Sequence, residues 1–400
     1  MRPAWFALSS SLGAIAPLLI SCSPVSAPPS APLFLLATVD TGVGAATQSS
    51  LVVDGTGGVH VAYSQEGASN LRYATCLGDC VDDAGWARTT VDTTTNSGFF
   101  NSIVTGVGGL HIVYQVYNGQ GDLRYATCPA TCLQPSSWQI LTIDSAGNTG
   151  HDGSLAVGQA GQLHVTYLEA VPVPGGMWRL KYAACSTACT SPANWSITVL
   201  DSAVFLDAST RSLALDANGR LHLVYQKIDT LTGMRPIVYA TCAASCTTAA
   251  NWQVAEIDND PLDHAAPVVA LDVLGVPSVA YWGKLGPSAA ITYARCNGVC
   301  TTSIGWDILP VQVIAAGSSD LDQHSLVIDA AGRPQMSFQH GGLAYAGCVS
   351  NCTVPGAWLE FLVDPGVAGP GSSVAGLPGG GVGIVYLSRS NGHLRFAMSN

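Results

Sequence analysis

Charge is sparse in this chain. Only 10% of its 400 residues are Asp, Glu, Lys or Arg, with 15 basic against 26 acidic and a formal net charge of −11. No run of Lys or Arg occurs, which excludes the basic patch that a nucleic-acid backbone requires. No Asp-x-Asp-x-Asp-Gly calcium loop is present. The long apolar stretch at the amino terminus, Trp5 to Ile20, is too short and too early for a membrane span. What the chain has instead is 48% apolar residues and 44 glycines. That composition suits an all-β protein with a large buried area and tight turns.

The stretch from Ser212 to Asp258 is the pattern for the rest. An apolar run, Ser212-Leu-Ala-Leu-Asp216, is followed by an Asp-x-x-Gly turn ending at Gly219. Leu221-His222-Leu-Val-Tyr225 is a second strand, and Ile237-Val-Tyr239-Ala-Thr-Cys242 a third. Cys246, Trp252 and Asp258 mark a fourth. We label these strands A to D. The first Cys of each copy falls at 76, 128, 185, 242, 296 and 348, at spacings of 52, 57, 57, 54 and 52 residues. Strand B ends in Tyr63, Tyr114, Tyr167, Tyr225, Tyr281, Phe338 and Tyr386, seven in all. Strand C also has seven marks, Tyr73, Tyr125, Tyr182, Tyr239, Tyr293, Tyr345 and Phe396. Strand D has six, Trp86, Trp138, Trp195, Trp252, Trp306 and Trp358.

The missing seventh D strand lies at the other end of the chain. Trp86/Asp92, Trp138/Asp144, Trp195/Asp201, Trp252/Asp258 and Trp358/Asp364 share one spacing, and Phe34/Asp40 repeats it. The fifth repeat has Trp306 and Gln312. Residues 33–40 are therefore expected to pair beside 393–398 and close a ring, leaving no free sheet edge. The expected fold is all-β: a seven-bladed β-propeller of four-stranded antiparallel blades, closed by an N-terminal strand. A solenoid is the alternative, but it needs capping repeats and no split blade.

Twelve of the 13 cysteines form Cys-x-x-x-Cys pairs between strands C and D. The pairs are Cys76 with Cys80, Cys128 with Cys132, Cys185 with Cys189, Cys242 with Cys246, Cys296 with Cys300 and Cys348 with Cys352. A metal centre needs converging ligands, and a ring holds these pairs apart, one per blade. Local disulfides are expected. Cys22 is left over. Arg2 and the apolar stretch after it form a secretion signal over residues 1–21. Its end, Leu19-Ile-Ser-Cys22, resembles a bacterial lipobox, and that resemblance implies lipid attachment at Cys22. An ordinary signal cleaved after Ala27 is the alternative. Residues 22–32 form a Pro/Ser-rich tether, and 33–400 the propeller.

The signature Asp-x-x-Gly-x-x-His-x-x-Tyr stands at Asp54-Gly57-His60-Tyr63 and Asp216-Gly219-His222-Tyr225. It resembles repeats of exported bacterial propellers in the broad sialidase-like/BNR-repeat group. The Asp-box of that group, Ser-x-Asp-x-Gly-x-Thr-Trp, is absent, and Cys pairs stand in its C–D position. The resemblance therefore implies the propeller and leaves sialidase activity without its motif.

Repeat-locked residues are expected to be structural. His60, His111, His164 and His222 share a strand-B position and read as hydrogen-bond formers. Arg72, Arg124, Lys181 and Arg395 share a strand-C position and read as solvated. Ser50, Ser102, Ser154, Ser212, Ser325 and Ser373 open strand A and are expected to ring one mouth of the axial channel. The B–C loops differ between copies, spanning 10 residues from Tyr to Tyr in blade 1, 15 in blade 3 and 14 in blade 4. Variation on a fixed scaffold marks the B–C/D–A face as the binding face. Tyr117, Trp178 and Trp282 are expected in its B–C loops. Phe99, Phe100, His151, Asp152, Phe205, Asp207, Arg211, Asp263, His264, Asp322 and His324 are expected in its D–A loops. Aromatics beside carboxylates and imidazoles suit sugar stacking with hydrogen bonding. Tyr117, Trp178, Trp282, His151, Asp152, Arg211, Asp263, His264 and His324 are the candidate binding residues, with no metal and no cofactor.

The expected function is an extracytoplasmic, lipid-anchored binding protein for a glycan or protein ligand. It sits in the bacterial cell envelope, at the outer membrane or cell surface, and touches the membrane through its anchor alone. The alternatives are a glycan-active enzyme of hydrolase or lyase type, and a structural envelope component.

Overall fold

Each repeat closes into one antiparallel sheet of four strands, and seven such sheets make up the protein. The structure is a computed structural model. It describes residues 32–42, 48–65, 70–171, 178–204, 212–229, 231–259, 266–314, 324–366 and 368–399. Blade 1 consists of Ser49–Val53, Val59–Gln65, Asn70–Cys76 and Ala87–Asp92 in that order. Blade 7 has Ala368–Gly376, Val382–Ser388 and His393–Ser399, and its outer strand is Phe34–Asp40. Phe34 pairs with Ser399 and Ala37 with Phe396, so the amino-terminal strand completes the last sheet.

Aromatic rings set the joints between blades. Each strand-D Trp lies edge-on against the strand-C aromatic of the preceding blade: Trp86 on Phe396, Trp138 on Tyr73, Trp195 on Tyr125, Trp252 on Tyr182, Trp306 on Tyr239 and Trp358 on Tyr293. Phe34 repeats the contact on Tyr345, at 5.3 Å and 61°.

The six expected Cys pairs are all disulfides within their own blades. Cys76 is bonded to Cys80, Cys128 to Cys132, Cys185 to Cys189, Cys242 to Cys246, Cys296 to Cys300 and Cys348 to Cys352, with Cα separations of 5.4 to 5.8 Å. The second Cys of each pair does more than close a loop. Its carbonyl accepts the indole N–H of its own blade's Trp. Trp86 donates to Cys80 at 3.1 Å, Trp138 to Cys132 at 2.8 Å and Trp195 to Cys189 at 3.0 Å. Trp252 donates to Cys246 at 2.8 Å, Trp306 to Cys300 at 2.9 Å and Trp358 to Cys352 at 2.9 Å. The bridge thus fixes the loop that orients the ring. Blade 7 lacks both the bridge and the indole, since Phe34 has no N–H to place.

Two polar bonds recur with the same logic. The strand-B His bonds the strand-C Tyr hydroxyl within its blade, from 2.6 to 2.7 Å in blades 1 to 4. Ser278 and Gln335 take over in blades 5 and 6. In blade 7 Phe396 has no hydroxyl, and Gly383 opposite it has no side chain; a Cβ there would come within 2.7 Å of the Phe396 ring. The second bond crosses the joints. The Tyr at the end of strand B donates its hydroxyl to the strand-D Asp of the preceding blade: Tyr63 to Asp40, Tyr114 to Asp92, Tyr167 to Asp144, Tyr225 to Asp201, Tyr281 to Asp258 and Tyr386 to Asp364, at 2.6 to 3.0 Å.

The strand-C cations join this bond, which corrects the expectation that they are solvated. Arg72 pairs with Asp40, Arg124 with Asp92, Lys181 with Asp144 and Arg395 with Asp364. These four side chains are only 10–23% exposed. A carboxylate buried at a joint needs both the hydroxyl and the cation to offset its lost hydration. Nearer the axis, Ser50 accepts from the Ile103 amide, Ser102 from Leu155, Ser154 from Leu213, Ser325 from Val374 and Ser373 from Leu51. The serines thereby stitch successive A strands around the channel.

Candidate ligand-binding site

Strand order divides the disc into two faces. A–B turns and disulfide-bearing C–D loops emerge on one, and B–C and D–A connections on the other. The A strands enclose an axial cavity of about 350 Å³, lined by Ser50, Ser102 and Ser154 and by apolar residues such as Leu155, Leu213, Val269 and Leu326.

Backbone strain collects where the D–A connections enter this axis. Phe100, Asp152 and Ala266 have φ of 49°, 51° and 41°, and Gly371 has 84°. Phe99, Phe100, His151 and Asp152 lie within the strands Ser97–Gly106 and Asn148–Val157 and not in D–A loops. The four left-handed residues stand two positions before Ser102, Ser154, Val268 and Ser373, close to where pairing with strand B shifts register or begins. Left-handed backbone costs a residue with a Cβ roughly 1–2 kcal/mol, and such strain concentrates at functional sites. At Phe100 it is held by side chains. The Gln48 carboxamide oxygen accepts the Phe100 amide, and Asn101 donates to the carbonyls of Gly98 and Gln48 at 2.9 and 3.3 Å. Ser50 donates to Asn101 at 2.8 Å. These bonds turn the Phe100 ring toward blade 3.

There it meets His151, with ring centroids 5.0 Å apart, and His151 meets Trp178 edge-on at 4.6 Å. Three rings from two blades form one cluster. His151 Nε2 bonds Asn148 at 3.2 Å, and Nδ1 has no hydrogen-bond partner among the described residues. Burial pulls its pKa down to about 4, so the imidazole is neutral at pH 7. Such a cluster offers apolar ring surface with neutral hydrogen-bonding groups beneath it.

The expected site residues divide three ways. Phe100, His151 and Trp178 stand together on the B–C/D–A side of blades 2 and 3, and Asp152, next to His151 in the chain, is buried. Tyr117 ends the B strand of blade 2 (Gly109–Tyr117) on the same face and is 44% exposed. Trp178 is the first residue of a C strand (Trp178–Cys185), rather than a loop residue. Trp282 is a correction. It lies inside the B strand of blade 5 (Pro277–Leu285), has no exposed surface, and packs edge-on against Phe338 and His324. His324 is buried beside it, its pKa lowered by burial to about 4. Both belong to the joint between blades 5 and 6. Arg211, Asp263, His264, Phe205, Asp207, Asp322 and Cys22 lie outside the described residues.

A second cavity, of about 480 Å³, opens on the disulfide face between blades 1 and 2, beside Asp54, His60, Tyr73, Leu110 and Leu133. Its polar groups already serve one another. His60 bonds Tyr73 at 2.6 Å and Asp54 at 3.1 Å, and Asp54 also accepts the amides of Thr56 and Gly58.

No protein-family model matches the sequence, and no curated protein matches it either. Solved structures do share its fold. The chain is similar to the Hadza microbial sialidase Hz136 at 16% identity, covering 86% of this chain and 73% of that one, with a TM-score of 0.50. It is similar to a polysaccharide lyase of family PL25, an ulvan lyase bound to -[GlcA(1-4)Rha3S]-, at 11% identity over 90% and 95% of the two chains, TM-score 0.51. It is also similar to the Penicillium chrysogenum α-L-arabinanase complexed with arabinobiose, at 11% over 93% and 98%, TM-score 0.50. At these identities the likeness is one of fold alone. The six disulfides mark a chain matured in an oxidising compartment.

Proposed function

We propose that this protein is an exported, lipid-anchored propeller that binds carbohydrate at the D–A/B–C mouth of its axis. The observation that carries the reading is the Phe100–His151–Trp178 cluster, with Phe100 held on left-handed backbone on the B–C/D–A side of the disc. Sugar rings present flat C–H faces to aromatics and hydroxyls to polar groups, and this mouth supplies both. Tyr117 extends the aromatic surface, and Arg211, Asp263 and His264 belong to the same set of loops in sequence. Three propellers of similar fold act on or bind glycans by their names, which supports the class of ligand. In this reading the signal over 1–21, Cys22 and the 22–32 tether hold the 33–400 domain at a bacterial outer membrane or cell surface. The disulfides support the export.

A glycan-active enzyme is the second reading. Asp152, buried at the mouth with left-handed backbone, favours it. A glycan array with the full mature chain tests the first reading. Binding is expected, lost on Trp178→Ala and kept on Tyr73→Phe. An array without binders sinks it. Turnover of a bound glycan that Asp152→Asn abolishes replaces it with the second.

A further inference from the structure

Exposed apolar side chains are densest on the disulfide face at blades 5 and 6, with others at Leu77 and Val107 in blades 1 and 2 and at Leu231 on the opposite face. In blade 5 they are Val273 and Leu274 of the A–B turn, 72% and 82% exposed, and Val299 and Ile304 of the C–D loop, 64% and 94% exposed. Val349 and Val354 of the blade 6 C–D loop continue the row at 59% and 52%. The scaffold does not demand these residues. At the Leu274 position other blades have Thr56, Ala160, Asn218 and Ala331. At the Ile304 position they have Ala84, Ser136, Ala193, Ala250 and Gly356. The C–D loops of blades 5 and 6, residues 297–305 and 349–357, contain no charged residue.

The next blade round the ring is blade 7. Its outer strand starts on this same face, because Phe34 pairs with Ser399 at the end of strand C. Leu33, just before it, is 61% exposed. The propeller's amino-terminal end, at Leu33, therefore lies on the face that carries the apolar row. The residues between Cys22 and Leu33 can span at most ~40 Å when extended.

We propose that the disulfide face of blades 5 to 7 docks on a lipid bilayer, with Leu274 and Ile304 entering its interfacial region. The tips stand two to a turn on three separate turns, without the packed, complementary wall that a protein interface needs. A fluid apolar phase suits that shape. The attraction is apolar, since the tips are flanked by no basic cluster of the kind that seeks anionic lipid. Asp79, Asp82 and Asp83 in the blade 1 C–D loop repel an anionic leaflet and end the docking arc at blade 7. The anchor is taken from the function proposed above. What is added is orientation: the glycan mouth faces away from the membrane.

The test adds one tryptophan at a time to the full chain and reads quenching by phosphatidylcholine vesicles with brominated acyl chains. Ile304→Trp should be quenched, and Tyr117→Trp, on the opposite face, should not. Leu274→Asp with Ile304→Asp should lower partitioning onto preformed phosphatidylcholine vesicles roughly a hundredfold, with high salt changing little. Absent quenching at position 304, or equal quenching at both positions, overturns the docking. Membrane attachment without quenching leaves the anchor standing and the docking refuted. Quenching at 304 in a chain that Cys22→Ser does not release keeps the docking and refutes the anchor. A dimer that the double Asp variant dissociates, again without quenching, assigns the face to a second copy and overturns the proposal.

Discussion

Replacing Asp92 by Ala should unlatch blade 1 from blade 2. The Asp92 carboxylate is 6% exposed and accepts the Tyr114 hydroxyl at 2.7 Å, Arg124 Nη1 at 2.9 Å and the Thr94 amide at 2.8 Å. Its removal leaves a buried phenol without its acceptor and a guanidinium, 21% exposed, with its bond to Thr94 Oγ1 in place of its counter-charge. Breaking a buried pair from one side costs about 3–5 kcal/mol, and the partial exposure of Arg124 puts this joint near the lower end. Tyr114→Phe removes one hydrogen bond to a charged group and should cost about 1.5–3 kcal/mol. The chain contains its own control. At the joint between blades 5 and 6 the three positions are Gln312, Phe338 and Ala344. Asp92→Gln with Tyr114→Phe and Arg124→Ala copies that set. It should recover part of the Asp92→Ala loss, since no unpaired charge is left behind, but not all of it, because the Trp282 that fills the blade 5–6 joint has Ser64 as its counterpart here. Denaturant unfolding of the oxidised protein, followed by tryptophan fluorescence, measures all three. The pH dependence has a definite sign. Burial raises the Asp92 pKa, but the bonds from Thr94 and Tyr114 and the Arg124 charge outweigh it, and the pKa lies below its ordinary 3.8. The stabilisation is thus complete above that value and lost as pH falls through the folded pKa. If the triple variant is as unstable as Asp92→Ala, the three residues are not one coupled unit.

Three further outcomes are expected. Burial lowers the His164 pKa from 6.5 to about 4. Between these values the unfolded chain binds the proton and the folded chain does not, so stability falls as pH drops through that window. Gln335 fills the same position in blade 6 and keeps the bond to Tyr345, so His164→Gln should make the fall in Tm from pH 6.5 to 4 shallower; an unchanged slope refutes this. Trp178→Ala should weaken glycan binding and leave the melting temperature nearly unchanged. Trp282→Ala should instead cost about 3–5 kcal/mol of stability as a core deletion, and the reverse pattern would exchange their roles. Deleting residues 33–40 strips the outer strand from blade 7 and Phe34 from Tyr345, so the chain should melt earlier and aggregate through the open edge; a truncated protein that melts like the parent would contradict ring closure.

The architecture was legible because each repeat states its own strand boundaries. The Tyr, Cys and Trp marks recur at fixed offsets, and the surplus of B and C marks over D marks located the closing strand at Phe34. The joints were not read, because their partners belong to different repeats. Asp92 and Tyr114 stand 22 residues apart in sequence, and each looks like an independent mark of its own copy. Arg124 looked solvated for the same reason: its carboxylate lies in the preceding blade. The second Cys of each pair hid its role in the same way. Cys80, Cys189, Cys300 and Cys352 read as bridge partners, and the bond from the indole goes to their backbone carbonyls, which side-chain identity does not report. A signal was present in the exceptions. Gln312 replaces the Asp in the one joint where Phe338 replaces the Tyr. Gly383 replaces the His in the one blade where Phe396 replaces the Tyr. Positions that fail together are positions that touch.

The same exceptions account for Trp282. Between Tyr281 and Tyr293 it was assigned to a B–C loop, but that hairpin turns only beyond Leu285, so the B strand runs on through the indole. Its ring enters the joint between blades 5 and 6, against Phe338 and among Ile291, Ile314 and Met336. That joint lacks the Asp and Tyr found at both its neighbours and the cation found at the joint between blades 6 and 7, and a polar clasp has been exchanged for apolar volume. Burying an indole stabilises without leaving a charge to satisfy, so both solutions hold adjacent blades. An aromatic outside the repeat scheme can therefore mark a repaired joint as readily as a ligand site. What separates the two is the strand-B/strand-D pair beside it. The joint between blades 3 and 4, against whose core Trp178 packs, keeps Tyr225 with Asp201 at 3.0 Å. That joint has its polar clasp, and Trp178 lies half-buried with its ring edge-on to His151 on the B–C/D–A face.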